Sequence, residues 1–381
     1  MRYLVPATLF ALLAASSGSV AAAPPPGGDA GSVVSSRALT GPELIPGAAS
    51  GFRIVYRTTG QNGEPQVSGA SVFVPAGEPH ADGRPVVSWA HGTSGMTEGC
   101  APNLTGGIAD TFDETPHLTA YLDQGYAVAA TDYIGLGAPG SYEYLAWRAA
   151  GYAVLDAVRA AGAVDPTLSS SFVAAGHSIG GQAALAAAHL WSGYAAELDL
   201  RGTLAYAPTS NVVEVITALG RPGTPVMPGL DGLHARLVMI LAGLDRARPD
   251  VRVTDYLSPH GRNMLAVARA GERCLGALEE AVAGHAVGDL FARSLAEQPL
   301  AAALTDYLTV PTTGHRQPVL LLQGEADTVQ PAPTTILLQQ QLAQSGAVSR
   351  LALYPGTDHF TLLGAAAGDE REFLSRVLPA R

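Results

Sequence analysis

The sequence predicts an α/β fold: a mostly parallel central sheet flanked by helices, with a helical segment inserted before the last strands. Three observations carry this. Short apolar runs recur along the chain, among them "PVVSWAHG", "YAVAATDY", "SFVAAGHS", "LRGTLAYAP", "PVLLLQG" and "SRLALYPG". Continuous apolar runs of this length suit parallel strands buried on both faces. Helical patterns separate them, and alternation of strand and helix gives a parallel sheet covered on both faces. The third observation is a gap in that alternation: from about 211 to 313 no convincing strand is legible.

The elements follow in order. Met1 to Ala23 reads as a signal peptide, with Arg2 as the charged start, an apolar stretch, and "AAA" as a small-residue cleavage site. Residues 24–50 read as an N-terminal linker or arm, opening with the loose "PPPGGDAGS". The first part of the core is placed at 51–210. It starts with a hairpin of "FRIVYRTT" and "VSGASVFVP" around the turn-forming "GQNGEPQ". In "YEYLAWRAAGYAVLDAVRAA" the residues Leu145, Ala149, Tyr152, Leu155 and Val158 recur every three or four positions, as one helix face requires. A second helix follows Ser178, and its alanines allow close approach to a sheet. Residues 211–313 read as an inserted helical cap and 314–381 as the second part of the core.

Composition narrows the function. The chain has 381 residues, net charge −11, and no lysine; every Lys or Arg position is arginine. An acidic surface repels nucleic acid. The lack of lysine removes Ser–Lys, Schiff-base and P-loop chemistry. A signal peptide places the mature chain outside the cytoplasm, extracellular or periplasmic. In an oxidising compartment the pair Cys100 and Cys274 reads as one disulfide. Neither cysteine has a second one at metal-ligand spacing, so no metal site is expected.

"GHSIG" places Ser178 between Gly176 and Gly180, after a strand and before a helix. That is a nucleophile elbow, in which the serine sits in a strained turn and the glycines clear space for neighbouring backbone. It specifies the fold class as an α/β-hydrolase. A serine hydroxyl needs a base, and in this fold the order is serine, acid, histidine. Of ten histidines, His285, His315 and His359 stand in late positions after the serine, with His234 and His260 in the cap region. His359, in "YPGTDHF" after the last strand, is the expected base. The acid is expected in "GEADTVQP" after the strand "PVLLLQG", where Asp327 is preferred to Glu325. Asp358 adjoins the histidine and reads as a turn cap. Asp132 precedes the serine and reads as a loop tie. The oxyanion donors are expected to be the backbone N–H groups of Ile179 and of Thr93 in "HGTSG", with His91 fixing that loop. Tyr133 is a candidate for the substrate cleft. The acid limb of activity is expected near pH 6 to 7, about the ordinary histidine range.

With these residues placed, the chain resembles the secretory lipase family, the lipase A-like branch of α/β-hydrolases. The matching stretches are "WAHGTSG", "CAPNL", "ATDYIGLG", "YLAWRAAGYAVLDAVRAA", "GHSIGGQAALAAA", "GEADTVQP" and "PGTDHF". They run from about residue 52 to the C-terminus, and 91–208 is the most specific block. The resemblance implies hydrolysis of carboxylic esters, acylglycerols included, with the cap selecting substrate. It implies an ester or lipid substrate, transient contact with a lipid surface, and neither cofactor nor obligate protein partner. A serine peptidase on the same fold and a catalytically silent binding module are the alternatives.

Overall fold

The structure, a computed structural model, describes residues 28–105, 112–226, 231–270 and 274–380. The expected signal peptide lies outside them. The described residues hold a nine-stranded sheet, in which the apolar runs are strands: β1 (Val33–Ala38), β2 (Ala48–Thr59), β3 (Pro65–Pro75), β4 (Arg84–Ala90), β5 (Ala127–Ile134), β6 (Leu168–His177), β7 (Asp199–Tyr206), β8 (Val319–Gly324) and β9 (Ser349–Tyr354). Their order is β1-β2-β3-β5-β4-β6-β7-β8-β9. β1, β2, β3 and β5 pair antiparallel, and every pair from β5 through β9 is parallel. Part of the stretch read as an arm therefore joins the sheet. β1 is an edge strand whose burial pattern is mostly exposed, so it offered no apolar run to read.

Helices cover both faces. Trp147–Val164 and the elbow helix Ile179–Tyr194 pack on one face, in a core shared with Val86, Phe172 and Ala174. Thr115–Asp123 and Ala367–Val377 cover the other, around Trp89, Val128, Val173 and Leu204. Strand side chains alternate between faces, so consecutive residues Val173 and Ala174 fall in different cores. Burying both faces is what makes these strands apolar throughout.

Between β7 and β8 the described residues hold helices and no strand, including Val213–Leu219, Asp231–Ala247, Pro259–Arg269, Leu275–Val282 and Leu300–Leu308. Their apolar residues, such as Leu237, Leu241, Leu278 and Leu304, belong to the same core as the Trp147–Val164 face. Cys100 and Cys274 form a disulfide. Leu275 N–H donates to the Ser94 carbonyl beside it, at 2.9 Å. Among the described residues no helix is long and apolar enough to cross a membrane.

Candidate active site

The elbow forms because only glycine fits there. A Cβ on Gly180 would lie 1.8 Å from the Ala90 carbonyl oxygen, and one on Gly176 would lie 2.3 Å from that of Gly180. β4, β6 and the elbow helix can then approach closely. Ser178 between them has φ 59°, a left-handed backbone that costs a non-glycine residue energy. Its N–H donates to the Tyr206 carbonyl at 2.8 Å, which ties the turn to β7.

The carboxyl ends of β4, β6, β8 and β9 converge on one edge, where open α/β sheets bind ligands. Ser178, from the end of β6, and His359, from the loop after β9, line one cavity of about 260 Å³. Gly92, Thr93, Phe112 and His177 line it as well. Larger clefts exist, one of about 820 Å³, but the linings of the two larger ones include neither Ser178 nor His359; volume alone does not locate this site.

His359 Nδ1–H donates to Asp327 Oδ2 at 2.6 Å. A carboxylate only accepts, so the proton sits on Nδ1 and the lone pair on Nε2. Asp327 in turn accepts from the N–H groups of Val329 and Gln330 through Oδ1, each at 2.8 Å, which fixes its rotamer. Glu325 is exposed. Asp358 caps its own turn, accepting from the Phe360 and Thr361 N–H groups. Burial pushes the His359 imidazole down to about 4; the nearby His177 adds to this, and Asp327 opposes it.

Ile179 opens the elbow helix, so its N–H has no carbonyl one turn back to bond. The Thr93 N–H donates to no acceptor among the described residues. The Thr93 hydroxyl pairs with the Tyr144 hydroxyl at 2.7 Å. His91 is buried within its loop, with ring nitrogens on the carbonyls of Gly92 and Asp132. Tyr133 is not brought to the cavity. Its ring stacks on Tyr142 and its hydroxyl donates to the His91 carbonyl at 2.8 Å. The other late histidines are absent from the cavity lining: His234 is buried on the helix Asp231–Ala247, His315 donates to the Pro311 carbonyl, and the His260 and His285 rings meet at a tilt of 31°.

Sequence reasoning missed the buried carboxylate beneath the loop. Glu114 accepts from Trp89 Nε1 at 2.6 Å and from the Gly92 N–H at 3.0 Å, so it sets the loop that presents Thr93. Burial raises its carboxyl, but the His177 ring 3.7 Å away and Trp89 outweigh that and hold it below the ordinary range. His177 Nε2–H also donates to the His359 carbonyl at 3.0 Å. The second residue of "GHSIG" thus supports the histidine loop. The cap residues Arg236, Leu275 and Glu279 and the aromatic Phe360 complete the lining. Among the described residues no group of three or more His, Cys, Asp or Glu side chains could hold a metal ion.

An elbow serine at the end of a parallel strand, followed in order by an acid and a histidine from later loops, defines the class as an α/β-hydrolase. The secretory lipase family model matches residues 107–368. The chain belongs to that family. Lipase A of Arthroderma benhamiae is 26% identical over 323 residues, covering 78% of this chain and 64% of its own length. A Mycobacterium tuberculosis protein named probable inactive lipase is 26% identical over 364 residues, 91% of this chain and 74% of that one. Among solved structures, Candida antarctica lipase A is 21% identical with TM-score 0.73, over 93% of this chain and 84% of that one. The rice cell wall degrading esterase LipA from Xanthomonas oryzae is 16% identical with TM-score 0.74, over 92% and 100%. At these identities the structural likeness concerns the fold. The chain spans just under two thirds of the length of the Arthroderma relative.

Proposed function

We propose that this protein is a secreted serine hydrolase of carboxylic esters, with Ser178, His359 and Asp327 as its catalytic triad. The observation that carries the reading is a single arrangement. His359 lines the cavity of Ser178 while its Nδ1–H is held at 2.6 Å by Asp327. In the reaction Ser178 Oγ attacks the acyl carbon and its proton passes to His359 Nε2. The N–H groups of Ile179 and Thr93 take the oxyanion. The tetrahedral intermediate collapses, and His359 hands the proton to the leaving alcohol. Water, deprotonated by the same nitrogen, then splits the acyl-enzyme. The family and the sequence of residues 1–23 support export, and the segment 211–313 acts as the cap over the site. A lipid or other ester is the substrate, and no obligate protein partner enters the reading.

The test is hydrolysis by the purified protein and by Ser178→Ala. The substitution is expected to cost on the order of 10⁴-fold or more in kcat. Retention of a tenth of the activity would reassign the nucleophile. A catalytically silent module is the second reading, favoured by the name of the Mycobacterium tuberculosis relative. It predicts no hydrolysis by the unsubstituted chain.

A further inference from the structure

One wall of the Ser178 cavity carries charges that the hydrolytic steps do not use. Arg236 comes from the helix Asp231–Ala247 and Glu279 from Leu275–Val282, and both line the cavity with Ser178 and His359. Arg236 Nη1 donates to Glu279 Oε1 at 3.1 Å and to the Gly232 carbonyl at 2.8 Å. The side chains are 16% and 33% exposed, so a bound molecule reaches both. Their position is fixed relative to the chemistry. The helix bearing Glu279 has Cys274 at its N-cap, which is bonded to Cys100, and its Leu275 N–H donates to the carbonyl of Ser94, next to Thr93.

These charges constrain the substrate. A long acyl chain is retained by apolar walls. Laid over this pair, its methylenes would strip water from two charged groups and offer no hydrogen bond in return. The cavity is also small, about 260 Å³, against roughly 300–1,000 Å³ for common ligand pockets. The sign of charge narrows the class further. A carboxylate would meet Glu279 and an ammonium group would meet Arg236, whereas a hydroxyl accepts from Arg236 and donates to Glu279.

We propose that Arg236 and Glu279 are specificity-determining residues that select small, neutral, hydroxyl-bearing esters over long-chain acyl esters. The inference rests on the ester-hydrolase reading above and names its substrate class.

The experiment compares kcat/KM of the purified full chain within matched pairs: ethyl 3-hydroxybutyrate against ethyl butyrate, glycerol monobutyrate against butyl butyrate, and p-nitrophenyl butyrate against p-nitrophenyl palmitate. The hydroxylated ester should be favoured about tenfold in at least one of the first two pairs, because a hydroxyl replaces the hydrogen bonds of the water that a bound ester displaces from the Arg236–Glu279 pair, and an alkyl group does not. Butyrate should be favoured over palmitate. Arg236→Met and Glu279→Gln should each bring the hydroxyl preference toward one. No hydroxyl preference in either pair, a preference for palmitate, or a hydroxyl preference unchanged in both variants would overturn the proposal. If a variant fails to fold by circular dichroism, the ratios of the unsubstituted chain decide. Failure of the underlying reading looks different: no ester is hydrolysed at all, or Ser178→Ala hydrolyses them equally well.

Discussion

Asp327 holds His359 with one oxygen and its own loop with the other. Asp327→Asn should therefore cost about 10²–10⁴-fold in kcat, since an amide cannot fix the imidazole in the required tautomer. Glu325→Gln, at an exposed position, should cost little; kinetics of the two variants side by side check the assignment. The same ring sets the pH profile. His359 must be neutral to act as base, and burial lowers it to about 4. A lowered value keeps the ring neutral further into acid, so kcat/KM should hold down through pH 6 and fall as pH drops through about 4. Burial thus moves the expected limb down from pH 6 to 7, the range of an ordinary, solvated histidine. A measured limb at pH 6 to 7 would show that the ring is solvated in the working enzyme. That Asp327 meets His359, and His359 the cavity of Ser178, was legible because chain order and strand ends restrict where the proposed triad can stand. Glu114 was not, because in "DETPH" it looks like any loop acid, and only the fold brings Trp89 and Gly92 to it. Tyr133 was misjudged for a related reason: "TDYIGLG" shows a residue at a strand end but not that its hydroxyl turns back to His91.

The elements assemble by close approach and by one covalent tie. The elbow helix lies near β4 because Gly180 has no side chain, and Gly95 lies against the disulfide for the same reason, a Cβ there coming within 2.6 Å of Cys100 Sγ. The bridge spans 174 residues. By the chain-entropy model it contributes at most about 5 kcal/mol, less any native strain. Reduction should lower the Tm, and activity should fall at elevated temperature before it falls at room temperature. The reason is that the bridge joins the loop of Thr93 to the helix bearing Leu275 and Glu279. Calorimetry with and without reductant, beside activity at both temperatures, checks this; an unchanged Tm would show that the tether carries no stability. The buried strands were readable from their apolar runs, and the helices beside them from their spacing. β1 was not, since an edge strand exposed along most of its length has the composition of a linker.

At the scale of the whole molecule, the order β3-β5-β4-β6 makes the chain turn back on itself between β4 and β5. The loops after β4, β6, β8 and β9 then open on the same edge. Residues as distant in sequence as Thr93, Ser178 and His359 line one cavity because of that topology. The parallel core was legible as a pattern of runs. The walls of the site were not, since Arg236 and Glu279 sit in helices whose only visible signal was amphipathic spacing.

The central claim is that Ser178 becomes acylated during turnover. The direct measurement is incubation with a p-nitrophenyl alkylphosphonate, which phosphonylates an activated serine as it releases nitrophenol, followed by mass spectrometry of the intact and digested protein. One adduct per chain on the peptide containing Ser178, formed in step with loss of ester hydrolysis and absent from Ser178→Ala and slowed in His359→Ala, is the predicted result. Full hydrolytic activity in a protein whose Ser178 stays unlabelled, or an inactivating adduct on another residue, would contradict it.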